Sequence, residues 1–187
     1  LGRFDEGDRE SRRATELDPF AVIMAANRSW YLMAARRYDE AIGVARKLVD
    51  LNPDCGQCFA QLSVVLACKG DFAAAIASGR KGAQLDSSPL VLSWLGTSYA
   101  LAGKQAETRQ VIARLKEVSK RRFLCPYEIG VAYLHLGEKE EALPWLEKGY
   151  EVRSYCMVWL GTDPRLDPLR SDPRLTDLIR RIGLPIT

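Results

Sequence analysis

One spacing governs this chain. Gly2, Arg36, Gly70, Gly103 and Gly137 stand on a common lattice, with steps of 34, 34, 33 and 34 residues. Phe4, Tyr38 and Phe72 follow two residues after the first three marks. Three residues further on come Gly7, Ala41, Ala75, Thr108 and Ala142, all small. The lattice continues through Ala14, Leu48, Gly82, Leu115 and Gly149. Asp18-Pro19, Asn52-Pro53 and Ser87-Ser88-Pro89 close the first three units. A period of this length marks a supersecondary unit that cannot bury its apolar face alone and must stack on its neighbours.

Each mark has a physical role. The glycine or arginine ends one helix, where a left-handed cap is often required. The small residue falls where two helices cross closely. The closing proline stops the second helix, because it has no amide hydrogen and clashes with the preceding turn. Between the marks, apolar residues recur at three and four, as in Leu62, Val65, Leu66 and in Ile129, Tyr133, Leu136. That is the helical period. Each unit therefore reads helix, turn, helix, turn.

Trp94-Leu95-Gly96 followed by Tyr99, Ile129-Gly130 followed by Tyr133, and Gly70-Asp71-Phe72 with Ala75 carry a resemblance to the tetratricopeptide repeat. The resemblance covers roughly residues 1–156 and implies an all-α, right-handed superhelical solenoid of antiparallel helix hairpins. About four and a half repeats are expected, over 1–21 (a second helix without its partner), 22–55, 56–88, 89–122 and 123–156. Arg28-Ser29, Gln105 and Lys139 depart from the family pattern. Pro126 fits the first turn of a helix, and Pro144 removes one backbone bond from another.

The remainder, 157–187, is expected to cap the stack, with a final helix at about 173–182. Asp163-Pro-Arg-Leu-Asp-Pro-Leu returns nine residues later as Asp172-Pro-Arg-Leu-Thr-Asp-Leu. Asp172 suits an N-cap and Pro173 a first helical position. Leu175, Leu178, Ile179 and Ile182 form one stripe. Arg180 and Arg181 favour the last turn, and Gly183 the C-terminus. This ending resembles those of many bacterial repeat proteins, whose repeats follow a winged-helix DNA-binding domain, a protein kinase or a nucleotide cyclase. With the incomplete first unit, it implies the C-terminal part of a longer protein.

The composition points to a folded chain: 47% of residues are hydrophobic and 27% charged. The net charge of +3 gives no concentrated basic face for nucleic acid; Lys120-Arg121-Arg122 reads as a solvated turn. No apolar run reaches the roughly 20 residues of a membrane span. A cytoplasmic location is expected. The five cysteines are expected as free thiols. Cys55-Gly-Gln-Cys58 has redox spacing at a helix start, but no strand precedes it, so packing between repeats is favoured over redox or metal chemistry. His135 reads as a helix-surface residue, Glu138, Glu140 and Glu141 as a helix opening, and Gly79 and Gly82 as close-packing positions. No cofactor, metal or catalytic residue is expected.

In the resembled family, the first helix of each unit lines a concave groove that receives an extended peptide, in some members through a clamp of lysines, asparagines and an arginine. The matching positions here are Ile23, Ala26, Asn27 and Trp30; Gln57, Ala60, Gln61 and Val64; Leu90, Ser93, Trp94 and Thr97; and Leu124, Tyr127, Glu128 and Val131. None is a lysine or arginine, which argues against a clamp. The partner-binding candidates are Asn27, Trp30, Gln57, Gln61, Val64, Trp94, Thr97, Tyr127, Glu128 and Val131, with Trp30, Trp94 and Tyr127 as aromatic anchors. The expected function is a non-catalytic protein–protein interaction scaffold that binds an apolar segment. The alternative is an intramolecular regulatory or sensory region of a larger bacterial transcription factor, kinase or cyclase, with its own upstream domain as partner.

Overall fold

The computed structural model describes residues 3–18, 22–121 and 124–185. Gly2, Pro19 and Arg122, which figure in the sequence reading, lie outside the described residues. Among the described residues ten α-helices run in order: α1 (Phe4–Leu17), α2 (Val22–Ala34), α3 (Tyr38–Leu51), α4 (Gly56–Lys69), α5 (Phe72–Leu85), α6 (Pro89–Leu101), α7 (Gln105–Ser119), α8 (Pro126–His135), α9 (Lys139–Glu151) and α10 (Pro173–Ile182). Two 3-10 turns, Tyr155–Trp159 and Pro164–Leu169, stand between α9 and α10. The described residues hold no strand, and the chain is an all-α, right-handed solenoid of helical hairpins.

The 34-residue marks do what their chemistry requires. Gly70, Gly103 and Gly137 have φ of 94°, 69° and 82°, and Arg36 in the same slot has φ of 62°. Each reverses the chain after an inner helix. Asp71 and Ser88 accept from the amides of Ala74 and Val91 at helix N-termini. Pro126 opens α8, and Pro144 sits inside α9.

Inner helices α2, α4, α6 and α8 pack against the outer helices and against one another. Gly56 and Gly82 set the closest approach. A Cβ on Gly82 would meet the Gly56 carbonyl oxygen at 2.7 Å, and a Cβ on Gly79 would meet Leu95 and Ser63 at 2.9 Å. One repeat earlier, Val22 and Leu48 occupy the Gly56 and Gly82 slots. Helices α1, α2 and α3 pack on one another but leave between them a mainly apolar cavity of about 420 Å³ rimmed by Arg12, Arg28 and Lys47.

Two cores follow the stack. One joins Leu32, Ile42, Ala60, Val64 and Trp94. The other joins Leu115, Tyr127, Ile129 and Leu146 to Leu160, Leu166, Leu169 and Leu175 of the tail. The last four leucines are fully buried. Helix α10 lies on α9, with Arg174 on Glu140 and Arg181 on Glu147, each pair 34 residues apart. It takes the place of an outer helix. The two 3-10 turns before it stand where an inner helix would run, and they turn into the concavity.

The cysteines differ from expectation. The structure pairs Cys55 with Cys58 and Cys125 with Cys156 as disulfides, and leaves Cys68 as the free thiol among the described residues. The Cys55 sulfur also accepts from the Cys58 amide at the first turn of α4. The first pair has the spacing that the sequence reading noted but set below packing, and the second joins residues 31 apart that meet only where α8 receives the tail. Burial pushes the Cys68 thiol up to about 12.

Candidate functional site in the concave groove

The groove is built from the inner helices and crossed by residues 155–170. Trp30 of α2 lies 5.4 Å from Trp94 of α6, centroid to centroid. Trp159, ending the first 3-10 turn, comes to 6.3 Å from Trp30 and 5.8 Å from Tyr31. The tail thus spans the concavity from α8 to α2. At the far edge, Arg36 Nη2 sits 2.7 Å from Asp167 Oδ1.

A buried charge cluster fixes the crossing. Asp163 caps the second 3-10 turn by accepting from the Arg165 amide at 2.8 Å. The same carboxylate receives Arg165 Nε and Nη2, the latter at 2.7 Å, and the Tyr127 hydroxyl at 2.6 Å. Arg165 then forks onto Glu128 of α8, with Nη1 2.8 Å from Oε2 and Nη2 3.3 Å from Oε1. Its guanidinium carbon lies 5.4 Å from the Trp30 ring centroid and 5.7 Å from that of Tyr127. Arg165, Asp163 and Glu128 are 3%, 2% and 4% exposed, so this is an interior ion cluster.

Electrostatics follow from that burial. Burial alone would raise the Asp163 pKa, but the Arg165 charge and the converging donors outweigh it and hold it below the usual carboxylate range. Burial opposes the Arg165 charge too, and Asp163 and Glu128 overcome it, so the guanidinium is held above its ordinary value. Burial first, then the Asp163 charge, pushes the Tyr127 phenol well up. Arg170 binds the carbonyls of Leu160 and Asp163 at 2.8 and 2.9 Å, which locks the chain between the two turns.

His135 belongs to this arrangement, against its reading as a surface residue. Its Nε2 is 2.8 Å from the Arg165 carbonyl oxygen, which can only accept, so the ring donates. Burial lowers its pKa below 6.5. A helix end facing solvent in an open groove faces the tail here.

What the tail leaves open is a cavity of about 240 Å³. Asn27, Trp30, Gln57, Gln61, Trp94, Tyr127 and Glu128 line it from the inner helices, and Tyr155, Cys156, Trp159 and Arg165 from the tail. Gln57 is exposed, and Asn27 and Trp30 are half-buried. The Gln61 amide donates to the Ala26 carbonyl at 2.7 Å and ties α4 to α2. Val64, Thr97 and Val131 have no exposed surface and do not line the cavity. Thr97 points its hydroxyl at Glu128, 3.4 Å away.

Trp159, Asp163 and Arg165 were not among the expected groove residues: the groove positions of the inner helices hold no cation, and the one that fills the groove comes from the tail. The echo of Asp-Pro-Arg-Leu carried the signal. At Asp172-Pro173-Arg174 the same clip recurs, with the Arg174 amide and Nε on Asp172 at 2.9 and 3.1 Å and the outer face of the guanidinium on Glu140.

An α-helical repeat solenoid with a segment-sized groove is the class that this fold and site define. The chain matches sequence profiles described as Tetratricopeptide repeat over residues 1–54, 28–89 and 127–156, and it belongs to that family. Over 87 residues it is 36% identical to the Hsp70-Hsp90 organizing protein of Triticum aestivum, a stretch that spans 46% of this chain and 15% of that protein. Its fold is similar to that of a thermophilic TPR protein of Thermus thermophilus, with a TM-score of 0.64 at 18% identity, covering 98% of this chain and 93% of the other. It is also similar to a tetratricopeptide repeat protein from Parabacteroides merdae, with a TM-score of 0.64 at 12% identity, covering 97% and 72%. Among the described residues no helix is long and apolar enough to cross a membrane.

Proposed function

We propose that this chain is a non-catalytic protein–protein interaction module whose concave groove receives an extended segment of a partner. One observation carries the reading: the groove already holds a peptide segment, residues 155–170, seated by aromatic rings and a buried ion cluster. A surface that binds its own tail in this way has the shape and chemistry to bind another chain in the same mode. The tail then acts as the resident occupant, and a partner competes with it. The open cavity beside Trp30 and Trp94 is the place where a partner side chain would enter first.

The wheat relative's name joins it to Hsp70 and Hsp90. The groove positions of this chain's inner helices contain no lysine or arginine, so a cationic clamp for an acidic tail is not its mode. Its aromatic walls suit an apolar segment. A library of displayed peptides selected on the folded chain tests this. Selected peptides should carry apolar or aromatic residues and lose binding to the Trp30→Ala and Ile23→Asp variants, which should keep full helical circular dichroism. Selection of peptides that bind both variants as well as wild type would place the binding surface elsewhere.

A further inference from the structure

The tail's seat prescribes a chemical requirement for whatever replaces it. Glu128 belongs to α8 and stays in the groove when the tail leaves. Trp30 and Tyr127 stay as well, as two aromatic faces flanking the position of the guanidinium. Asp163, Arg165, Asp167 and Arg170 all leave with the tail, and Arg36 loses its partner Asp167 at the exposed edge. Among the described residues, the vacated groove is therefore left with one carboxylate, 4% exposed in the closed form, and no cation beside it. An occupant that covers that carboxylate without supplying positive charge must bury an unpaired anion, which is strongly disfavoured. A guanidinium answers the geometry best. It spans both oxygens of Glu128 while lying within cation–π reach of the two rings, whereas an ammonium is a compact point charge that cannot fork onto both oxygens.

We infer that the external segment received by this groove carries an arginine, which seats on Glu128 between Trp30 and Tyr127 in place of Arg165. This rests on the groove reading proposed above and adds a chemical identity to the partner. The partner is a segment with an apolar or aromatic residue to pack on Trp30 and Tyr31, as Trp159 does, and an arginine about six residues later, as at Arg165. The tail and the partner are then mutually exclusive, because they contend for one carboxylate.

The test uses the full chain, kept reduced so that the Cys125–Cys156 bond does not hold the tail in place, and two fluorescein-labelled peptides, followed by fluorescence anisotropy. Both peptides span Tyr155–Arg170 with Cys156→Ser, and the second also carries Arg165→Gln. The chains are wild type, Trp159→Ala, Arg165→Ala, and Trp159→Ala combined with Glu128→Gln, each checked for helix content by circular dichroism. Trp159→Ala loosens the tail without unpairing any charge, so it keeps the test valid if Arg165→Ala fails to fold. The arginine peptide should bind Trp159→Ala at least tenfold more tightly than it binds wild type. On that variant the glutamine peptide should bind at least tenfold more weakly, and Glu128→Gln should erase the difference between the peptides. Equal binding of both peptides to Trp159→Ala overturns the arginine requirement and leaves the groove reading standing. Equal affinity of wild type and Trp159→Ala overturns the competition. Binding of neither peptide to any variant overturns the groove reading and this inference together.

Discussion

Arg165 reaches back 37 residues in sequence to Glu128 and forks onto both of its carboxylate oxygens inside the solenoid. The inner helices offer the groove an anion and aromatic faces, and the tail supplies the cation. The same Asp-Pro-Arg clip nine residues on is half-exposed: Arg174 is 50% exposed and Glu140 76%, whereas Arg165 and Glu128 are 2% and 5% at the side chain. Two copies of one local device therefore differ only in what surrounds them.

That difference gives a first expectation. Removing one partner of a buried ion cluster leaves uncompensated charge, and Arg165→Ala should cost about 3–5 kcal/mol in urea unfolding. Arg174→Ala removes an exposed pair screened by water and should change the midpoint far less. Equal losses in the two variants would mean that the groove cluster is solvated.

The close crossing of α4 and α5 gives a second. Gly82→Ala places a Cβ 2.7 Å from the Gly56 carbonyl oxygen and 3.0 Å from the Ala60 nitrogen. Backbone cannot yield cheaply, and the variant should lose about 1–3 kcal/mol. Gly43→Ala in α3 meets nothing within 4 Å and should gain about 0.5–1 kcal/mol from helix propensity. Thermal unfolding of both variants compares them, with opposite signs expected.

Buried against the Arg165 carbonyl, His135 should make the tail's seat sensitive to acid. Its folded-state pKa lies below the free value of 6.5, so the unfolded chain takes up the proton more readily. Its contribution is complete above pH 6.5 and is lost as the pH falls through that value toward the folded pKa. Wild type should lose stability between about pH 7 and pH 5 by more than His135→Gln does. Parallel pH profiles for the two proteins would show that this histidine does not set the acid sensitivity.

Most of the fold is legible in the sequence because its signals are local. Gly70, Gly103, Gly137 and Arg36 all take the left-handed conformation that their lattice slot demands. Asp172, Pro173 and Gly183 bound α10. The path of 155–170 is not legible in the same way. It has no helical period, its prolines allow only short 3-10 turns, and its partners, such as Arg36 for Asp167, lie as far as 131 residues away. Register places Asn27, Trp30, Gln57 and Gln61 at the cavity, but it does not tell them from Val64, Thr97 and Val131, which are buried beneath it. The residues that fill the groove are not placed by register at all.

Closure by the tail also governs proteolysis. Arg165 is 3% exposed, and the bond to Leu166 is buried with it. Trp159→Ala should open the segment and speed tryptic cleavage after Arg165 about tenfold or more if opening is in fast equilibrium. Cleavage after Lys120, in an exposed turn, should not change. Mass spectrometry of timed digests reads both sites, and an unchanged rate at Arg165 would show that Trp159 does not hold the tail.

The most direct measurement of the central claim is a double-mutant cycle between Glu128 and Arg165. Glu128→Gln, Arg165→Leu and the double variant are unfolded in urea beside wild type, and the coupling is the part of the loss that does not add. A tail seated on α8 through this pair predicts a favourable coupling of about 1.5–3 kcal/mol. Additive losses, with a coupling indistinguishable from zero, would contradict the claim that residues 155–170 occupy the groove through Arg165.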